Sequence, residues 1–99
     1  ALQEDHVSMG WSAARKLRRS VDNVRRILAV ELVAAARGID LRAPLEPSPA
    51  TGAVLHALRE TVPGPGVDRF LAPELGAAEE FLRDGGIEHA LAGAGVTLP

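Results

Sequence analysis

Apolar residues recur along the first forty positions with the period of an α-helix. One series repeats at every seventh position, and two further residues lie between its members. These positions are Val7, Ala14, Leu17, Val21, Val24, Leu28 and Ala35. Side chains with this spacing form a seam along one side of a helix, which suits packing against a second helix at a shallow angle. The pattern predicts one long helix from about Gln3 to Arg37, with Gly38 as its C-cap.

The polar residues of this helix are unevenly distributed. Its middle carries six basic residues against Asp22 alone: Arg15, Lys16, Arg18, Arg19, Arg25 and Arg26. The stretch that follows, 27–36 (ILAVELVAAA), is apolar on nearly every side. A helix that is apolar all round is normally buried all round. We therefore expect 27–36 to be enclosed by more helices than the rest of the chain supplies.

Proline and glycine divide the second part of the chain into short segments. A proline-rich connector (43–49) ends in Ser48 and Pro49, which have the residue types of an N-cap and a first helical turn. A second helix is therefore predicted from about Pro49 to Thr61, and the alternating prolines and glycines of 63–66 end it.

Beyond that break, the pattern predicts one isolated turn and two short helices. Asp68 is a candidate N-cap for a turn at 68–71. Pro73 suits the first turn of a third helix that ends near Asp84, before two glycines, and residues 87–95 allow a short fourth helix.

Length and composition agree with an all-α fold. The 99 residues include only three aromatic ones, so a core would consist of Leu, Val, Ile and Ala, which is normal for helices and lean for a sheet. We expect one long bundle helix in 1–42, then a connector and short C-terminal helices in 43–99. The whole is predicted to be a fragment of a larger helical bundle.

Charge and residue usage favour no particular partner. The net charge is −2, and without cysteine there is neither a disulfide framework nor thiolate chemistry. The first residues do not have the character of a signal peptide, and the run at 27–36 is too short to cross a bilayer. We expect a cytoplasmic protein without a membrane partner. Because residue 1 is not Met, we expect the chain to begin inside a longer polypeptide.

Glu4, Asp5 and His6 are the first candidates for chemistry. Neighbours on a helix point about 100° apart, so these three side chains are poorly placed to bind one ion. His56 and His89 lack the spacing of metal ligands, and we predict no metal site. From the pattern alone, the favoured interpretation is an acidic first turn stabilised by the helix dipole.

The basic cluster at 15–26 is the second candidate. Five arginines in one stretch suit phosphate binding, which would make the chain a nucleic-acid binder. However, aromatic residues are not interleaved, the total charge is negative, and Asp22 stands four residues before Arg26, a spacing that supports an ion pair. An ion-pair surface facing solvent or another subunit is therefore favoured, and no nucleic acid is expected.

Three stretches together resemble a known enzyme family. QEDHVSMGWSAARKL, VDNVRRILAVELVAAARGIDLR and DRFLAPEL are similar to the C-terminal part of actinobacterial histidine ammonia-lyases, which belong to the aromatic amino acid lyases. The resemblance is strongest in 1–42 and 68–75. It implies conversion of L-histidine to trans-urocanate and ammonia, the first step of histidine catabolism, by a homotetramer of long helices.

The same resemblance assigns roles to the residues of the first motif. The family's glutamate at the position of Glu4 reaches the active site, which implies that Glu4 is catalytic and contacts the substrate. A carboxylate there accepts hydrogen bonds from the substrate and shuttles a proton if burial raises its pKa. Gln3 matches a neighbouring substrate-binding residue. Asp5 and His6 match supporting positions behind these two.

Other parts of the family's active site are missing from this chain. The family uses a methylidene-imidazolone electrophile made from its own Ala-Ser-Gly, and that tripeptide does not occur here, nor does any tyrosine. We therefore expect the 99 residues to be inactive alone. The alternative, from a different class, is a stand-alone helical module that self-associates through the seam as a dimer or higher oligomer.

Overall fold

The computed structural model describes residues 8–99, and in that range it consists of helices and connections, without a strand. The four helices are α1 (Gly10–Asp40), α2 (Pro49–Arg59), α3 (Ala72–Arg83) and α4 (Gly86–Gly93). The predicted all-α fold class is confirmed. At a rise of about 1.5 Å per residue, the 31-residue α1 is about 46 Å long, more than twice the length of any other helix.

The boundaries of α1 differ from the prediction at both ends. Ser8 and Met9 are not helical, so the helix begins at Gly10 rather than at Gln3. At the other end it continues through Gly38 to Asp40, and the predicted C-cap at Gly38 is wrong. Nothing lies within 4 Å of a Cβ at Gly38, so no packing requirement ends the helix there.

The shorter helices follow their capping residues. Ser48 is the N-cap of α2, as predicted, and its Oγ accepts a hydrogen bond from the Thr51 amide at 3.3 Å. Residues 68–71 form no turn, so the prediction of a capped turn at Asp68 is wrong. Between α3 and α4, Gly85 adopts a left-handed conformation (φ 75°), which glycine accommodates without strain.

The core lies between the C-terminal part of α1 and the three short helices. α1 packs along α3, α2 packs against α4, and α3 contacts α4. The buried residues are Ala29, Ala36, Leu58, Val62 and Ala78. Alanine at the α1–α3 contact allows the two backbones to approach closely, while Leu58 and Val62 fill the space beneath them.

Much of α1 has no packing partner within the described chain. No residue of 10–28 is buried. In the apolar stretch 27–36, Ile27 and Val30 are 61% and 51% exposed. The expectation that this chain cannot enclose 27–36 by itself therefore agrees with the structure.

Candidate functional site

The predicted site residues Gln3, Glu4, Asp5 and His6 lie outside the described residues. The structure does describe the start of α1, which follows them in the sequence. α1 begins at Gly10, and its first turn holds no acidic residue. The interpretation of Glu4 and Asp5 as an acidic first turn concerns residues outside the described range and stays a prediction.

The first residues of α1 are exposed and carry their own local contacts. Ser8 Oγ accepts a hydrogen bond from the Gly10 amide at 3.2 Å. The Arg15 guanidinium lies over the Trp11 ring, 5.2 Å from its centroid, which is within range for a cation–π interaction. Trp11 remains 71% exposed, so the start of α1 presents a large apolar surface.

A cluster of charged residues joins α1, α2 and the start of α3, and sequence spacing did not reveal it. The Arg59 guanidinium pairs with Asp40 at the end of α1 and donates to the Val62 carbonyl at 3.1 Å. The Arg69 guanidinium pairs with Glu74 and donates to the Gly64 carbonyl at 2.9 Å. Two arginines thereby hold the 60–71 connection against the helices on either side of it.

Glu74 is the most strongly influenced carboxylate of this cluster. The hydrogen bond from Arg69 lowers the pKa of Glu74, and the nearby charges of Arg37 and Arg59 lower it further. The same hydrogen bond raises the pKa of Arg69. Glu74 is therefore ionised at neutral pH, which suits an ion pair and not a general acid. The cluster therefore has a structural role, because its ion pairs hold the 60–71 connection to the helices.

Two basic residues of α1, Arg25 and Arg26, form ion pairs within the described residues, although not the predicted one. Asp22 pairs with Arg25 at 3.0 Å, and Arg26 lies 3.7 Å from Glu79 on α3. The predicted pair between Asp22 and Arg26 is therefore wrong. Asp22 pairs with its i, i+3 neighbour Arg25, and Arg26 pairs with Glu79 of α3.

An apolar cleft beside the core offers no acid–base chemistry. It has a volume of 260 Å³ between α1, α2 and Leu91 of α4, and its lining includes Leu32, Val54 and Leu58 but no charged residue. Within residues 8–99 there is also no group of His, Asp and Glu that would hold a metal ion. No helix in this range is long and apolar enough to span a membrane.

The sequence matches the model of one protein family. The aromatic amino acid lyase family matches residues 1–60, which include the motif with Gln3 and Glu4 and all of α1. This match covers more than half of the chain. The chain belongs to the aromatic amino acid lyase family.

Its curated relatives are histidine ammonia-lyases. That of Streptomyces avermitilis is 62% identical over 88 residues, and that of Streptomyces griseus is 65% identical over 88 residues. The aligned regions cover 88% and 86% of this chain but only 17% of each relative. The histidine ammonia-lyase of Shewanella pealeana is 52% identical over 82 residues. The resemblance inferred from the quoted stretches, with its actinobacterial character, is confirmed. No solved structure matches the chain at a meaningful level of similarity.

Proposed function

We propose that this chain is one helical part of a histidine ammonia-lyase, which converts L-histidine to trans-urocanate and ammonia in the cytoplasm. The observation that supports the substrate is the identity of 62–65% to Streptomyces enzymes of that name. The family match begins at residue 1 and so includes the QEDH motif. In this proposal Glu4 is the catalytic carboxylate, Gln3 binds the substrate beside it, and Asp5 and His6 support them.

The electrophile of such an enzyme must come from elsewhere. The chain has no Ala-Ser-Gly from which a methylidene-imidazolone forms, and it spans only 17% of the relatives' length. The residues present therefore do not fit that group, and no step of its chemistry is assigned to them. The 99 residues contribute a carboxylate and the helix that positions it, and alone they are inactive.

A segment exchange tests this proposal directly. The aligned segment of the Streptomyces griseus enzyme is replaced by this chain, and urocanate formation is followed by its ultraviolet absorbance. We expect the chimera to be active and the 99-residue chain alone to be inactive. Activity of the isolated chain, or an inactive chimera that assembles and folds normally, would contradict the proposal.

Variants of the same chimera test the role of Glu4. Glu4→Gln keeps the shape of the side chain but removes its charge and its ability to move a proton, so kcat should fall about 100- to 10,000-fold. Gln3→Ala should mainly raise KM, because it removes a hydrogen bond to the bound substrate. Glu46→Gln in the exposed connector is the matched control and should leave both constants unchanged.

A homo-oligomeric assembly is the second part of the proposal. The exposed apolar positions on α1 and the mismatch between its length and the extent of the other helices support it. If the chain acts as a stand-alone module, this self-association is its whole function. Sedimentation equilibrium of the 99-residue chain tests it, and a dimer or larger species is expected.

A further inference from the structure

A second cleft lies between α1 and the segment that leads into α3. One of its walls is α1, through Val30 and Val33, and the other is formed by residues 63–65 and Leu71. Both walls belong to this chain, so the cleft is a recess between two of its segments and not an outward helix face. Its volume is 250 Å³. Pockets that hold small molecules begin at about 300 Å³, so the cleft has the size for a small ligand and not for a helix.

The charged residues of this cleft do not balance. Three arginines line it with a single acidic residue: Arg37, Arg59, Arg69 and Glu74. Arg69 pairs with Glu74, and Arg59 pairs with Asp40. Arg37 makes no ion pair within residues 8–99. Within that range, one positive charge therefore stays uncompensated beside apolar walls.

Arg37 also differs from the other two arginines in its freedom to bind a ligand. The side chains of Arg59 and Arg69 are 19% and 30% exposed, and both also donate to backbone carbonyls. Arg37 is exposed, and its charge lowers the pKa of Glu74, which places it at the same end of the cleft as that carboxylate. A guanidinium offers a planar fork of N–H donors that fits a carboxylate through two hydrogen bonds.

We propose that this cleft binds a small organic carboxylate, with Arg37 holding the carboxylate and the apolar walls covering the hydrocarbon part. An inorganic anion would leave the side chains of Val30 and Leu71 uncovered, and an uncharged apolar molecule would leave Arg37 without a partner. The ligand therefore carries both features, as is usual for sites in which a few polar groups orient a mainly apolar molecule. The inference does not depend on the substrate proposed above.

The probe 4-fluorobenzoate combines a carboxylate with an apolar ring, and its fluorine signal reports binding. Titrated into the 99-residue chain at low ionic strength, it should bind with a Kd on the order of 1 mM. Shifts of backbone amide signals should be largest at Val33, Gly64 and Leu75, which line the cleft. The uncharged 4-fluorobenzamide and the ringless acetate, the latter measured by competition, should each bind about 10-fold more weakly or less.

Two arginine variants test the assigned contact. Arg37→Gln removes the positive charge and should weaken binding of 4-fluorobenzoate about 10-fold. Arg18→Gln is the matched control, because Arg18 is exposed on the same helix, makes no ion pair among the described residues and does not line the cleft. It should leave the Kd unchanged. Circular dichroism verifies that both variants keep the helical content of the parent chain.

The same titration on the segment-exchange chimera shows whether the cleft stays accessible in a whole enzyme. We expect the chimera to bind 4-fluorobenzoate, and to lose this binding with Arg37→Gln. Because binding is read without turnover, an inactive chimera that still binds the probe contradicts the catalytic proposal alone.

Four results would overturn the inference. The first is an absence of saturable binding to both the chain and the chimera. The second is equal affinity for 4-fluorobenzamide, and the third is unchanged affinity of Arg37→Gln, since either would show that no carboxylate is recognised by Arg37. The fourth is binding by the 99-residue chain that disappears in the chimera, which would show that another part of the enzyme fills the cleft.

Discussion

The two halves of α1 have the same backbone conformation but different reasons to be helical. The second half, 27–40, buries Ala29 and Ala36 and is held through Asp40 to α2. The first half, 10–26, buries no residue, and its cross-helix contact is the ion pair of Arg26 with Glu79. Intrinsic helix propensity contributes little to stability in water, because most of the stability of helices in proteins comes from tertiary packing. The difference teaches that the periodic pattern identifies a helix without identifying what covers it.

Truncation of a core side chain should give the largest difference between the two halves of α1 in its effect on the free energy of unfolding. Leu58 is fully buried against α1, so Leu58→Ala leaves a cavity and should lower the free energy of unfolding by about 2–5 kcal/mol. Leu17→Ala removes the same atoms from the exposed first half and should change it by less than about 0.5 kcal/mol in the monomer. Urea titrations followed by circular dichroism at high dilution measure both. Equal losses would show that the first half is packed as tightly as the second.

Glycine substitutions provide a second contrast, of intermediate size. A Cβ at Gly86 would lie 2.7 Å from Cζ of Phe81 and closer still to two other ring carbons, so Gly86→Ala forces the ring to move. We expect a loss of about 1–3 kcal/mol. Gly38→Ala, in a helix interior with nothing within 4 Å, should instead stabilise the chain by about 0.5–1 kcal/mol.

Thermal and urea unfolding of these two glycine variants should therefore move in opposite directions from the parent chain. A neutral Gly86→Ala would mean that Phe81 has room to rotate away, and that the α3–α4 junction is looser than the structure indicates. A destabilising Gly38→Ala would mean that the end of α1 faces a neighbour in the assembled protein.

Local chemistry explains which parts of the fold were predictable. Ser48 and Pro49 mark a helix start by hydrogen bonding and by a fixed backbone angle, and α2 begins there. The end of α1 was misplaced because a glycine is tolerated inside a helix when the next turn is anchored, here by Asp40 with Arg59. The isolated turn at 68–71 failed because Arg69 holds that segment through Glu74 and the Gly64 carbonyl.

The candidate site depended on a different kind of information. Spacing gave Glu4, Asp5 and His6 no chemical role, and only the resemblance of the surrounding motif assigned one. The charged cluster of Arg59 and Arg69 was not predictable from spacing, because Asp40 and Arg59 are nineteen positions apart and meet only in the folded chain. Helical periodicity predicts neighbours three or four residues apart and is silent about such pairs.

Removing the charge of Asp40 should have a smaller effect than the core and glycine variants. Asp40→Asn weakens the pairing with Arg59, which still donates to the Val62 carbonyl, so the expected loss is about 1 kcal/mol. Asp22→Asn breaks an exposed i, i+3 pair in the first half of α1 and should cost about 0.5 kcal/mol or less. A larger loss for Asp22→Asn in urea unfolding would show that the first half depends on its ion pairs more than the second half does.

The smallest expected effect is a pH dependence of stability that arises from the Arg69–Glu74 pair at the start of α3. Arg69 lowers the pKa of Glu74 below the ordinary glutamate value of about 4.3, so the folded chain binds this proton less readily than the unfolded chain does. The stabilisation is fully present above that ordinary value and is lost as the pH falls through the lowered pKa. Urea midpoints measured between pH 6 and pH 3 should therefore fall more steeply for the parent chain than for Glu74→Gln.

Glu80→Gln is the appropriate control for this measurement, since Glu80 is exposed on the same helix and makes no ion pair within the described residues. It should retain the slope of the parent chain. If Glu74→Gln also retains that slope, the Arg69 pair does not persist in solution. The connection that it holds would then be as weakly fixed as the first half of α1, and the contrast between the two halves would rest on apolar burial alone.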